Sequence, residues 1–70
     1  HAIFEVEVPA EWIGKTVGGL DIRKRYNINI LAVKKEGEFT ISISPDTYFA
    51  ENNKLLVLGE YRDLQKCFRI

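Results

Sequence analysis

Seventy residues, 46% of them hydrophobic and 29% charged, make one small globular domain and not a disordered segment. Ten basic and ten acidic side chains cancel, which argues against a general nucleic-acid binder, and a single cysteine and a single histidine exclude an internal disulfide and a Cys/His metal cluster. No apolar run reads as a signal peptide or spans a membrane, and an unpaired thiol fits the cytosol.

A chain this short buries only about 60% of its unfolded surface, so its core is marginal and a partner subunit or attached domain is expected to add to it. It starts at His1 and not at a methionine, which reads as a fragment of a longer protein.

Residues 2–8, AIFEVEV, alternate, with Phe4, Val6 and Val8 on one side and Ile3, Glu5 and Glu7 on the other, and Pro9 ends this strand. Residues 10–14 connect onward and carry Trp12 and Ile13, which read as interface or core anchors. Residues 15–26 read as a short helix, with Val17, Leu20 and Tyr26 on similar sides, Thr16 as N-cap and Asn27 as a left-handed stop. The Gly18-Gly19 pair works against that helix. It signals either a weak first turn, the blander reading, or a close approach by another backbone or a ligand.

Residues 28–34, INILAVK, are apolar on both faces and read as a central strand. Lys35-Glu36-Gly37 turns the chain into a strand over 38–43, EFTISI, whose Phe39, Ile41 and Ile43 are expected to face inward. Ser44-Pro45-Asp46 opens a loop, residues 54–58 form a fourth strand closed by Gly59, and Tyr61, Leu64, Cys67 and Phe68 mark one side of a helix over 61–68. The order β-α-β-β-β-α predicts an α+β fold, a two-layer sandwich of a four-stranded sheet with helices on one face.

Catalytic chemistry is missing from this list. The one histidine is terminal, Cys67 falls on an apolar helical stripe, and the glycines lack the spacing of a phosphate loop. Glu5 and Glu7 read as solvent-facing. The sequence therefore points to a binding or assembly module and not to an enzyme, with no cofactor and no metal.

The ordered set Gly14-Lys15, Leu20-Asp21-Ile22-Arg23, the apolar strand Ile28 to Lys34, Pro45, and Leu55 to Gly59 followed by Leu64 resembles the C-terminal domain of regulators of potassium conductance, the TrkA-C domain, over nearly the whole chain. Asn27 stands where the family usually has glycine, and Asn53 where it usually has an acid. The resemblance implies a cytoplasmic regulatory domain that forms a homodimer, follows an N-terminal nucleotide-binding domain of the same chain, and acts on a membrane potassium channel or transporter. It also implies a cyclic di-AMP site at the dimer interface in some members. The family positions map here onto Val17, Ile22, Arg23, Asn29 and Pro45, with Ile28 and Ile30 as further apolar walls.

Chemistry allows that assignment without requiring it. Arg23 either pairs with Asp21 or water, or forks onto a phosphate. Asn29, polar within an apolar strand, faces either water or a partner group, and offers both a donor and an acceptor to an adenine edge or a phosphate. A two-fold axis doubles each contact, matching a two-fold ligand. Lys24 and Arg25 read as a solvated face. Two other functions fit the same elements: a purely structural dimerisation module, and an amino-acid-binding regulatory domain, which lacks a clear acidic partner for the ligand's amine beside Asn29.

Overall fold

The structure, a computed structural model, describes residues 1–70. Strands β1 (Ala2–Glu7), β2 (Ile28–Lys35), β3 (Glu38–Thr40) and β4 (Lys54–Gly59) form one sheet in the order β1-β4-β2-β3, every pair antiparallel. Helices α1 (Val17–Leu20), α2 (Ile22–Tyr26) and α3 (Tyr61–Cys67), with a 3-10 turn at Ala10–Trp12, pack on one face of it. This is the expected two-layer sandwich.

Register explains which face is covered. Val6, Leu55 and Val33 lie in one row across the sheet, Phe4, Val57 and Ile30 in another, and all belong to or pack against the core cluster. Leu20, Ile22, Trp12, Phe49, Leu64 and Phe68 close that cluster from the helical side. Trp12 is its aromatic hub, with ring centroids 5.4 Å from Tyr26, 5.6 Å from Phe49 and 5.4 Å from Phe68. At 3% exposure it is a core anchor and contributes no surface for a partner, while Ile13 stays exposed.

The opposite face is open. Ile3, Leu58 and Asn29 form its first row, Glu5, Leu56 and Ala32 the next, and Glu7, Lys54 and Lys34 the third. Lys34 Nζ reaches Glu5 Oε2 at 3.7 Å and lies 5.3 Å from the Phe39 ring centroid. Here the inward assignment of Phe39 and Ile41 fails. Phe39 pairs with Lys34 on the open face, and Phe39 and Ile41 are 46% and 80% exposed. Period two fixes which residues share a face, and the pairing register decides which face is covered. Only Ile43 of that set packs against the core.

The strand expected over 38–43 stops at Thr40, and the helix expected over 61–68 stops at Cys67 with Phe68 as its C-cap. Tyr61 leaves the apolar stripe and is 50% exposed, its ring 5.9 Å from Phe4. A bulge between Ile30 and Ala32 explains why the β2 sequence does not alternate cleanly. The β2–β3 hairpin turns through Glu36 at φ 50° and Gly37 at φ 83°, both left-handed, as the tight turn of a twisted ribbon requires.

Candidate functional site

The expected helix over 15–26 is two short helices. Thr16 caps α1, its hydroxyl accepting from the Gly19 N–H at 3.0 Å. Asp21 then takes φ 51°, ψ 51°, breaking the helix, and α2 follows at a new angle. Asn27 stops α2 at φ 58°, ψ 38°, the left-handed conformation that asparagine tolerates, and β2 begins at the next residue. This short path sets Arg23 and Asn29 on adjoining elements, and α2 packs against β2.

The loop after β3 is laid against the entry to α1. The Gly14 N–H donates to Phe49 O at 2.9 Å, Phe49 N–H to Lys15 O at 3.0 Å, Val17 N–H to Thr47 O at 2.9 Å, and Gly18 N–H to Pro45 O at 2.8 Å. The fully buried Phe49 ring anchors the lower end of this seam. Ser44 and Thr47 shape the turn: Ser44 N–H donates to Thr47 Oγ1 at 2.9 Å, and Asp46 N–H to Ser44 Oγ at 3.2 Å. Val17 and Pro45, remote in sequence, thereby stand side by side. Of the glycine pair, Gly18 shows the close approach by another backbone, whereas Gly19 faces only the Thr16 hydroxyl. A Cβ on Gly18 would sit 2.8 Å from Pro45 Cβ and 3.0 Å from Pro45 O.

Arg23 is exposed on α2 and has no ion-pair partner. The side-chain pairs of this kind are Lys34–Glu5 and the imidazole–carboxylate contact His1–Glu60, so the alternative pairing of Arg23 with Asp21 does not form. Asn29 is half-buried on the open sheet face, opposite Leu58, and its side-chain amide makes no hydrogen bond within the chain. Ile30 is half-buried on the covered face, Val17 is half-buried and Pro45 is exposed. Ile22 and Ile28, at 2% and 1% exposure, point into the core, so neither presents the apolar surface expected of it. Arg25 lies with its guanidinium 5.4 Å from its neighbour Tyr26's ring centroid, a local contact in keeping with a solvated face.

The N-terminal half of β2 has one free edge. β3 pairs only with Val33 to Lys35, leaving Ile28 to Leu31 without a strand on that side. Two concavities lie elsewhere. One, of about 660 Å³, lies between β1 and the end of α3 and includes Val8, Cys67 and Phe68; the other, of about 360 Å³, borders Val33, Ser44 and Tyr48. Neither is lined by Val17, Arg23, Asn29, Ile30 or Pro45. No group of three or more His, Cys, Asp or Glu side chains gathers to hold a metal, and no helix is long and apolar enough to cross a membrane.

The sequence of this chain matches the TrkA-C domain family over residues 1–70. The chain belongs to the TrkA-C family. It is 36% identical over 64 residues to the K(+)/H(+) antiporter subunit KhtT of Bacillus subtilis (strain 168), covering 90% of this chain and 39% of that protein. It is 30% identical over 66 residues to the Ktr system potassium uptake protein C of the same organism, covering 94% of this chain and 30% of that one. The chain thus spans less than two fifths of these relatives.

Among solved structures, the RCK C domain of the potassium transport protein KtrA in complex with cyclic di-AMP superposes with a TM-score of 0.86 at 35% identity, over 94% of this chain and 78% of that one. The RCK_C domain dimer of S. agalactiae BusR in complex with cyclic di-AMP gives 0.81 at 25% identity, over 96% and 90%. The GsuK channel bound to NAD gives 0.81 at 25% identity, over 94% of this chain and 12% of that one.

Sequence reasoning missed Thr47, and it offered close backbone approach at Gly18 only as the second reading of the glycine pair. The Ser-Pro-Asp-Thr run signalled a turn, but nothing local showed that it docks on the glycine pair 27 residues earlier.

Proposed function

We propose that this chain is a ligand-sensing dimerisation module that binds cyclic di-AMP between two copies and regulates a potassium channel or transporter. The observation that carries the reading is the pair of unsatisfied polar groups on adjoining elements: the free Arg23 guanidinium and the free Asn29 amide. Arg23 takes a phosphate of the ligand through its fork of donors. Asn29 takes an adenine edge or a phosphate, and Val17, Ile30 and Pro45 supply apolar surface to the bases, with Ile22 and Ile28 holding them from the core. The complexes of the KtrA and BusR domains with this ligand support the choice.

The site is open on a single chain, which suits completion by a second copy. Exposed Ile3, Phe39, Ile41 and Tyr48 supply apolar surface for such contacts, replacing Trp12 in that role. A two-fold ligand on a two-fold axis engages each residue set twice. Its binding favours one relative orientation of the two copies, and it shifts the regulated protein only by its difference in affinity between orientations. An N-terminal nucleotide-binding domain of the same protein carries that shift on the cytoplasmic side to the membrane partner.

Calorimetric titration of the chain with cyclic di-AMP tests this, with cyclic di-GMP, ATP and NAD as comparison ligands. The expected result is selective heat with cyclic di-AMP at one ligand per two chains. No heat and no thermal shift with cyclic di-AMP would leave a purely structural dimerisation module. A ratio of one ligand per chain would move the site off the two-fold axis and end the residue assignment.

A further inference from the structure

We infer that Gly18 is a positioning residue for the ligand site, acting through Pro45; this rests on the reading of Pro45 and Val17 as walls of that site. The backbone of residues 14–18 and that of residues 45–49 run together as a seam, and its upper end is the Gly18 N–H bond to Pro45 O at 2.8 Å. At that point the two segments are closer than any side chain permits. A Cβ on Gly18 would stand 2.8 Å from Pro45 Cβ, 3.0 Å from Pro45 O and 3.2 Å from Pro45 Cα. None of these atoms can swing aside, because they belong to a proline ring and the backbone. The φ of Gly18 is ordinary for an L-residue, unlike that of Gly14 or Gly37, so space and not conformation demands glycine here.

The consequence is local to the site. Phe49 at 0% exposure holds the far end of the seam in the core, so a methyl on Gly18 can be accommodated only by lifting the Pro45 end. That movement stretches the Gly18–Pro45 and Val17–Thr47 bonds and parts the two walls that Val17 and Pro45 provide. Gly19 is the natural control. It lies on the same short helix, and its added Cβ would meet only the Thr16 hydroxyl at 3.0 Å. Alanine at either position gains the same helix propensity, so a difference between the two reports the Pro45 contact.

The test compares cyclic di-AMP titrations and thermal unfolding for the parent chain, Gly18→Ala, Gly19→Ala, Pro45→Gly and the Gly18→Ala/Pro45→Gly double variant. Gly18→Ala is expected to weaken binding about 10-fold relative to the parent while Gly19→Ala binds as the parent does. In the Pro45→Gly background the 2.8 Å contact with Pro45 Cβ is gone and only the backbone contacts at 3.0 and 3.2 Å remain, so Gly18→Ala is expected to cost clearly less than in the parent. Weaker binding by Gly18→Ala at a temperature where its thermal unfolding curve shows it fully folded is the readout that simple destabilisation would not produce. Should Gly18→Ala fail to fold, the double variant against Pro45→Gly decides the matter: a loss well below 10-fold supports the inference and a further 10-fold loss overturns it. A parent chain that binds while Gly18→Ala binds equally well overturns the role of Gly18 alone. A parent chain that does not bind cyclic di-AMP overturns the ligand reading and this inference with it.

Discussion

The side-chain amide of Asn27 donates to the Asp63 carboxylate at 3.1 Å, joining the end of α2 to α3 across 36 residues of sequence. Asn27 therefore has two jobs. It takes the left-handed turn that ends α2, and it ties the two longer helices together above the sheet. Asn27→Gly keeps the turn and loses the tie. Asn27→Ala loses both, adding roughly 1–2 kcal/mol of backbone strain to a lost hydrogen bond that is worth about 0.5 kcal/mol at an exposed position. Urea unfolding is expected to rank the parent above Asn27→Gly and Asn27→Gly above Asn27→Ala. Equal midpoints for the two variants would show that the left-handed conformation is not what asparagine provides here.

Trp12 joins the 3-10 turn, α2, the 45–49 loop and the end of α3 through its contacts with Tyr26, Phe49 and Phe68. Removing it leaves a hole in the centre of the core. Trp12→Ala is expected to cost about 3–5 kcal/mol, a large part of what a domain this small possesses. Loss of the cooperative thermal transition is the measurement. A variant that still melted within a few degrees of the parent would place Trp12 at the periphery.

The element order, the Thr16 cap, the Asn27 stop and the hairpin turn were all legible because each depends on a few adjacent residues. The faces of β1 were legible too, since its sequence alternates, whereas β4 is apolar from Leu55 to Leu58 and alternates only in its burial. What failed was non-local. Phe39 and Ile41 alternate correctly but belong to the uncovered face, a fact set by the pairing of Phe39 with Lys34. The break at Asp21 has no glycine to announce it. Arg23 and Asn29 were legible as candidate residues, whereas the Gly18–Pro45 contact beneath them depends on a loop folding back onto α1. Local chemistry named the polar groups, and tertiary register decided what surrounds them.

Cys67 packs against the core near the end of α3, and burial pushes its thiol above the ordinary range, with the nearby Asp63 carboxylate adding to the rise and Lys66 opposing it. The neutral thiol is the form that folding favours. Its contribution to stability is therefore full below the unfolded-state value near 9.0 and is lost as pH rises through the higher folded value. Alkylation follows the thiolate. At pH 8 iodoacetamide is expected to react several-fold more slowly with the native chain than with the urea-unfolded chain, and the native rate–pH curve should lie to the alkaline side. Coincident curves would mean that the Cys67 thiol is as solvated in the fold as in the unfolded chain.

Arg23 and Asn29 offer different kinds of contact to the same proposed ligand, and salt separates them. A guanidinium on a phosphate is a charge-assisted bond worth about 1.5–3 kcal/mol, so Arg23→Ala is expected to weaken cyclic di-AMP binding by roughly 10- to 150-fold. A neutral amide contributes less, about 0.5–1.5 kcal/mol, or roughly 2- to 10-fold for Asn29→Ala. Neither side chain packs in the core, so both variants should keep the parent's unfolding midpoint and its dimer in sedimentation. The ion contact is screened as salt rises, whereas the amide contact is not. Affinity measured between low and high salt should therefore fall for the parent and for Asn29→Ala, and change least for Arg23→Ala. If Arg23→Ala retained the parent's salt dependence, the phosphates would be held by another cation, with Lys24 and Arg25 on the same helix the first to examine. If Asn29→Ala bound as tightly as the parent, the open-face end of β2 would lie outside the site, and the ligand would rest on α1, α2 and the Pro45 loop alone.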